Sequence, residues 1–284
     1  MIFVSTGQIK NQTIFSIVKY YLQGGIKNIE MSGGKYDPDI IKRLISLKKN
    51  NNFMLHNYFP PPKNPFTLNL ATFNKTLYKL GKNHVINAIR QSANIGSKYY
   101  SFHAGFLIDP LPENLGKKIF KQKVNDERIA TELFLERLSS ISKIAKKEGV
   151  ELLVENNVLT KKNFQTFKKN PLMMTSLMQT LKIVRSFPKN VSLLIDLAHL
   201  KVSAKTLNFS PSEYLKKCDK WIKAYHLSDN KGYYDTNNLI TKKSWFWPYI
   251  SRKKKYYTLE LRTSNLKNIK SQIKMLQKFL ENKL

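Results

Sequence analysis

A single closed (β/α)8 barrel, the TIM-barrel fold, is what this sequence predicts, and three observations carry that prediction. Short apolar, β-rich runs alternate with longer helical stretches along the whole chain. Eight such runs can be read, and eight parallel β-α units fill about 250 residues. No stretch rich in Gly, Pro or Ser divides the 284 residues, so one domain is expected over 1–284. A doubly wound open sheet is the structural alternative, but eight repeats of this length favour closure.

In chain order the strands are expected at Ile2–Ser5, Asn28–Met31, Phe53–His56, Tyr99–His103, Glu151–Glu155, Ser192–Asp196, Ile222–His226 and Tyr257–Glu260. Helical patterns fall at Gln12–Leu22, Pro38–Lys48, His84–Asn94, Asp126–Lys147, Leu172–Arg185, Ser212–Lys217 and Leu266–Lys283. The weakest helix signal lies between strands seven and eight. Two connections are long. Asn57–Lys82 carries Pro60-Pro61-Pro62 and Pro65, and Leu227–Lys255 carries Trp245-Phe246-Trp247-Pro248. Both follow strand C-termini, so both are expected to overhang the catalytic face of a barrel as lids.

Composition narrows the classes. A hydrophobic fraction of 42% excludes a disordered chain. One cysteine, Cys218, excludes an internal disulfide and a cysteine-based metal cluster. No apolar run approaches the roughly 20 residues of a membrane span. The N-terminus reads as a buried strand rather than a signal peptide, so a soluble, cytoplasmic protein is expected. The net charge is +30, with 49 Lys+Arg against 19 Asp+Glu, and only seven of the 49 are arginine. Lysine, isoleucine and asparagine enrichment suggests an A/T-biased genome. The shortage of acids does not follow from that bias, so attraction to polyanions or phosphorylated substrates remains open. No coherent basic stripe supports dedicated nucleic-acid binding.

The rare residues concentrate at strand ends. Glu30 stands in IEMSGG, His56 in FMLHNY, His103 in YSFHAGF and Glu155 in LLVENN. Asp196 stands in LLIDLAHL with His199 three residues later, His226 in YHLSDN and Glu260 in YTLELRT. A charge at the end of an apolar run is costly to bury unless it is paired or metal-bound. Parallel barrel strands all point their C-termini at one mouth, so these groups are expected to converge around one axis. Each alone has a bland structural reading; their joint placement favours a site. His84 and Cys218 lie outside the pattern and read as structural.

These motifs resemble the xylose-isomerase-like TIM barrels, a family of sugar and sugar-phosphate isomerases and epimerases related to endonuclease IV. The resemblance covers essentially the whole chain and is most specific in LLVENN, LLIDLAHLKVSA, YHLSDNKG and YTLEL. It implies a divalent-metal quartet of Glu155, Asp196, His226 and Glu260, which could hold Mn²⁺, Mg²⁺, Co²⁺ or Zn²⁺. It also implies proton transfer by Glu155 and Glu260 through an enediolate, with substrate contacts from His56, His103 and His199. The expected partner is therefore a small sugar or sugar phosphate, with a place in carbohydrate metabolism. A homo-oligomer is left open.

The endonuclease branch is the alternative, a zinc-dependent abasic-site DNA endonuclease in which His56, His103 and His199 would be ligands. Two departures count against it. An Asp-x-His expected after strand seven aligns with Asp235-Thr236-Asn237, and the Met31–Lys35 loop is short for a DNA-penetrating loop. Nucleic acid is thus not the favoured partner. A non-catalytic sugar-binding barrel is a third reading, disfavoured by the complete quartet.

Overall fold

The computed structural model describes every residue except 8, 10 and 11. Eight parallel strands, β1 (Ile2–Ser5), β2 (Asn28–Ser32), β3 (Asn52–His56), β4 (Tyr99–His103), β5 (Glu151–Glu155), β6 (Val191–Asp196), β7 (Ile222–Leu227) and β8 (Tyr256–Leu259), pair in sequence order. Pairing of Ile2 with Tyr257 and Val4 with Leu259 closes the barrel. The expected fold is the observed one. Glu260 lies one residue beyond β8, its N–H still donating to Leu227 O at 3.1 Å.

The period-2 alternation of a strand splits its residues between two environments. One set, including Ile29, Leu55, Phe102, Val154, Ile195, Tyr225 and Leu259, belongs to the main core with the surrounding helices. The alternate set faces the barrel axis. Near the N-terminal end it is apolar: Phe3, Met54, Leu153, Leu194, Ala224 and Tyr256 form one buried cluster. Two residues further along each strand it turns polar: Ser5, His56, Glu155, Asp196, His226 and Thr258, all buried. The same alternation that builds the fold therefore delivers the site.

The helices are α1 (Ile14–Gln23), α2 (Ile40–Leu47), α3 (Lys75–Ile95), α4 (Glu127–Lys147), α5 (Lys161–Phe167), α6 (Leu177–Val184), α7 (Leu197–Leu207), α8 (Pro211–Cys218) and α9 (Leu266–Leu280). Side-chain caps mark many of the starts. Asn74, Asp126, Ser176 and Ser210 each accept a backbone N–H from the first turn. Three departures from the sequence reading follow. The Asn74 cap starts α3 nine residues before His84, which shortens the long β3 connection and places His84 mid-helix. There its Nε2 lies 3.0 Å from Asn57 O, a structural role as expected. Helices α5 and α7 lie where the sequence pattern predicts no helix.

The third departure concerns the second expected lid. Among the described residues no helix links β7 to β8, and the chain must still return to the barrel's N-terminal end. Trp245-Phe246-Trp247-Pro248 serves that return rather than covering the mouth. Phe246 is fully buried, and Trp247 packs on Phe279 of α9 with ring centroids 4.7 Å apart. The Trp247 indole N–H donates to Thr241 O at 2.7 Å. The aromatic run is therefore a plug in the helical layer, with the burial of a core element.

The mouth is covered instead by the connection after β4, together with parts of the β3 and β7 loops. Phe106, Ile108 and Ile119 from this segment pack with Leu159, Phe167 and Leu172 as a separate apolar cluster. Asn69 ties the β3 and β4 loops together. Its amide donates to Phe106 O, Ile108 O and Asp109 Oδ1 at 3.1, 3.0 and 2.7 Å, and its Oδ1 accepts the Phe106 N–H at 3.0 Å. Gly105 sits at φ +89°, and a Cβ there would stand 2.8 Å from Asn69 Oδ1, so the clamp requires glycine.

Candidate metal centre and cavity

His226 is the hub of the polar end. It is fully buried, with Nε2 2.9 Å from Glu30 Oε1 and Nδ1 3.2 Å from Glu155 Oε1 and 3.1 Å from Glu260 Oε2. Glu155 extends the cluster, its Oε2 standing 3.3 Å from both His56 Nε2 and His103 Nδ1. His199 Nδ1 lies 3.9 Å from Glu155 Oε1, while its Nε2 meets Asp235 Oδ2 at 3.3 Å. Asp196 caps α7 by accepting the His199 N–H at 2.7 Å. Asn156 fixes Asp196 from both sides, accepting its N–H at 2.8 Å and donating to its carbonyl at 3.1 Å. The eight residues singled out from sequence, Glu30 and His199 among them, thus come together at one mouth.

The charges are mutually dependent. Burial would raise the Glu155 carboxyl, but the imidazoles of His103, His226 and His56 overcome it and hold Glu155 well below the usual range. Burial opposes ionisation of Glu260 as well, yet the contact with His226 brings it down to about 2. His226 and His199 are held well above the ordinary histidine value against the cost of burial, the first by Glu30 and Glu155, the second by Asp196 and Asp235. His103, where burial dominates, falls to about 4 and is neutral at pH 7. Desolvation pushes Asp196 up to about 7.

A cation would relieve this arrangement. Both Glu155 oxygens, Asp196 Oδ2 and His226 Nδ1 are buried without a hydrogen-bond partner. One donor atom each from Glu155, Asp196, His226 and Glu260 lies within 4.8 Å of the others. Three carboxylates and one imidazole suit a divalent ion, and buried unpaired donors are what such an ion would satisfy. Glu30, beside the far nitrogen of His226, leaves Nδ1 to face the quartet, the outer carboxylate often found behind a ligating histidine. Two further groups meet the same distance condition: Glu30–His56–His226 and His56–His103–Glu155.

Above the quartet lies a cavity of about 380 Å³. His56, His103, Glu155, His199 and Glu260 form its polar side; Leu68, Phe106, Leu115, Ile119 and Leu172 form an apolar wall. Lys117, Asn157, Thr160, Asn163, Tyr234 and Asp235 also line it. Sequence reasoning singled out none of these last six as site residues. Asn163 lies in the short helix α5 with Thr160 as its cap, and the other four sit on loops, where no periodicity exposes them.

A model of the xylose isomerase-like TIM barrel family matches residues 23–276. The chain belongs to that family. No curated protein matches this family member by sequence. Among solved structures it is similar to a D-tagatose 3-epimerase-like protein at TM-score 0.74 and 19% identity, covering 99% of this chain and 97% of that one. It is similar to D-psicose 3-epimerase with D-tagatose from Clostridium cellulolyticum H10, at TM-score 0.66 and 12% identity over 99% and 97%. It is also similar to endonuclease IV from Thermus thermophilus, at TM-score 0.60 and 12% identity over 99% of both chains. At these identities the likenesses establish the fold. No helix among the described residues is long and apolar enough to cross a membrane.

Proposed function

We propose that this xylose isomerase-like barrel is a metal-dependent isomerase or epimerase of a small sugar or sugar derivative. The observation that carries the reading is the placement of Glu155 and Glu260: both belong to the quartet and both line a cavity of about 380 Å³. That volume suits a small molecule. Glu155, Asp196, His226 and Glu260 would hold the ion. Bound there, a divalent ion would polarise the substrate carbonyl and stabilise negative charge on adjacent oxygens.

The remaining chemistry falls to the chain's own residues. The neighbouring imidazoles hold Glu155 and Glu260 ionised at neutral pH, able to accept a carbon-bound proton beside the carbonyl and return it. His103, neutral and on the cavity wall, offers a ring nitrogen to a substrate hydroxyl. His199 is oriented by Asn156 O at 3.0 Å from Nδ1 and by Asp235, and would fix a second hydroxyl. The apolar wall excludes water from the reacting carbon. Similarity to D-psicose 3-epimerase and to the D-tagatose 3-epimerase-like protein supports this reading.

The endonuclease reading keeps one specific observation, the His56–His103–Glu155 group, which could hold a second ion. Asn237 supplies no imidazole beside His199 and Asp235 for a third. Two assays on one metal-replete sample decide between the readings: solvent deuterium incorporation into a panel of ketoses and ketose phosphates, and nicking of an abasic-site duplex. Exchange without nicking is expected; nicking without exchange would overturn the proposal.

A further inference from the structure

A second cavity, of about 590 Å³, opens at the other end of the barrel, among the turns that lead into β3, β4 and β8. That volume lies within the usual range of small-molecule sites. None of its lining residues belongs to the metal centre or lines the first cavity. The chemistry of parallel barrels sits at the opposite mouth, so the proposed reaction does not account for this cavity.

Its floor is aromatic. Phe3, Met54 and Tyr256 of the apolar barrel cluster line it, together with Tyr99, which packs against that cluster. The Tyr256 ring centre stands 5.4 Å from that of Tyr99 and 5.9 Å from that of Phe3. Tyr99 is only half-buried, so a ligand ring laid against it would supply burial that the fold does not.

The turns around this floor are held by the chain's own hydrogen bonds. The Asn51 amide donates to Leu47 O and the Asn52 amide to Asn28 Oδ1, both at 2.7 Å. Ser97 Oγ donates to Tyr99 O at 2.8 Å and accepts the Tyr99 N–H at 3.3 Å. Lys48 Nζ donates to Asn94 O at 3.1 Å, which ties the turn before β3 to the end of α3.

The rim is cationic. Lys49, Lys98 and Lys255 line the cavity from three separate turns, with Lys48 beside them, and no described carboxylate lines it. Among the described residues these four lysines form no ion pair, whereas two lysines at the same end but off the cavity do. Lys223 pairs with Glu151, and Lys254 pairs with Asp219 at 2.8 Å. Glu151, the acid that acts on the Tyr99 phenol, is therefore already answered. Unanswered ammonium groups above an aromatic floor suit an anion carried on a flat apolar ring.

We propose that this cavity is a second ligand site, for a small aromatic anion whose ring lies against Tyr99 and Tyr256 and whose acid group is held by Lys49, Lys98 and Lys255. A nucleotide and an aryl carboxylate share that chemistry. The site stands apart from the reaction proposed at the opposite mouth and does not depend on it.

Calorimetric titration of the metal-replete chain with AMP and, separately, with 2-naphthoate tests the assignment. At least one probe should bind a saturable site, at least about tenfold tighter than octanoate, which offers an acid and an apolar chain without a ring. Binding should weaken at least about tenfold in Lys49→Gln/Lys98→Gln, and about fivefold or more in Tyr99→Leu. Lys182→Gln/Lys274→Gln, which removes the same charge from exposed positions on α6 and α9, should bind as the wild type does. Both lysine pairs are exposed, so neither double variant should lose its fold. Tighter binding of AMP would assign a nucleotide, and tighter binding of 2-naphthoate an aryl acid. No saturable binding of either probe, octanoate binding as tightly, wild-type binding in Lys49→Gln/Lys98→Gln, or an equal loss in the control pair would overturn the proposal.

Discussion

The two ends of the barrel interior are made by the same strands, two residues apart, and they do opposite things. Met54 precedes His56, Leu153 precedes Glu155, Leu194 precedes Asp196, and Ala224 precedes His226. The first member of each pair joins a buried apolar cluster and the second joins the charged hub. Among the described residues, seven of the eleven buried side-chain atoms without a hydrogen-bond partner belong to Glu30, His103, Glu155, Asp196 and His226. One end stores stability; the other end holds desolvated charge that only a ligand would satisfy. Function is therefore concentrated where the fold is least self-sufficient.

The sharpest way to break this contrast is substitution at the charged end. Glu155→Gln and Glu260→Gln should each lower turnover by about 10²–10⁴-fold, the usual cost of losing an acid–base group. Thermal melts of the metal-free variants should fall below the wild type, because each substitution leaves the buried His226 imidazolium with one carboxylate fewer. Wild-type melting in both variants would mean that the charges at this end are not coupled.

At the apolar end the expectation reverses. Leu153→Ala leaves a void in a fully buried cluster and should cost about 2–5 kcal/mol in denaturant unfolding. Bound metal per folded chain should stay at the wild-type level. Loss of metal binding without loss of stability would erase the distinction between the two ends.

How much of this contrast is legible in the sequence depends on period. Strand ends are readable because each polar residue follows an alternating apolar run, as in LLVE and LLID. Closure then follows from counting strands, and convergence from parallel geometry. Loop chemistry has no such period. Trp245-Phe246-Trp247 has the composition of a lid or of a core plug, and only contact with Phe279 distinguishes them. Helix α7 is masked in LLIDLAHLKVSA because Asp196 has the place of a metal ligand and is also the helix cap.

A smaller effect tests the electrostatics. His103 falls from the ordinary histidine value of 6.5 to about 4 in the folded chain. Between those values the unfolded state binds more protons, so this group's contribution is intact above pH 6.5 and is lost as pH falls toward 4. Relative to His103→Asn, metal-free wild type should lose on the order of 2 kcal/mol between about pH 7 and about pH 4.5, read by urea unfolding. A constant difference between the two proteins would show that His103 is not desolvated. The smallest effect belongs to Gly232→Ala, expected to cost about 1 kcal/mol because of its positive φ and the Lys205 stem against it. An unchanged urea midpoint would show that the turn is not strained by a side chain.

Metal content per chain, measured on wild type, Asp196→Asn, His56→Ala and His103→Ala purified alike, tests the central claim most directly. The account predicts one or two divalent ions in the wild type, severe loss in Asp196→Asn, and little change in the two histidine variants, whose rings line the cavity outside the quartet. No bound ion in the wild type would contradict the metal centre itself. Close to three ions, falling in both histidine variants, would contradict the sugar enzyme and mean that the charged end is a polynuclear hydrolytic site.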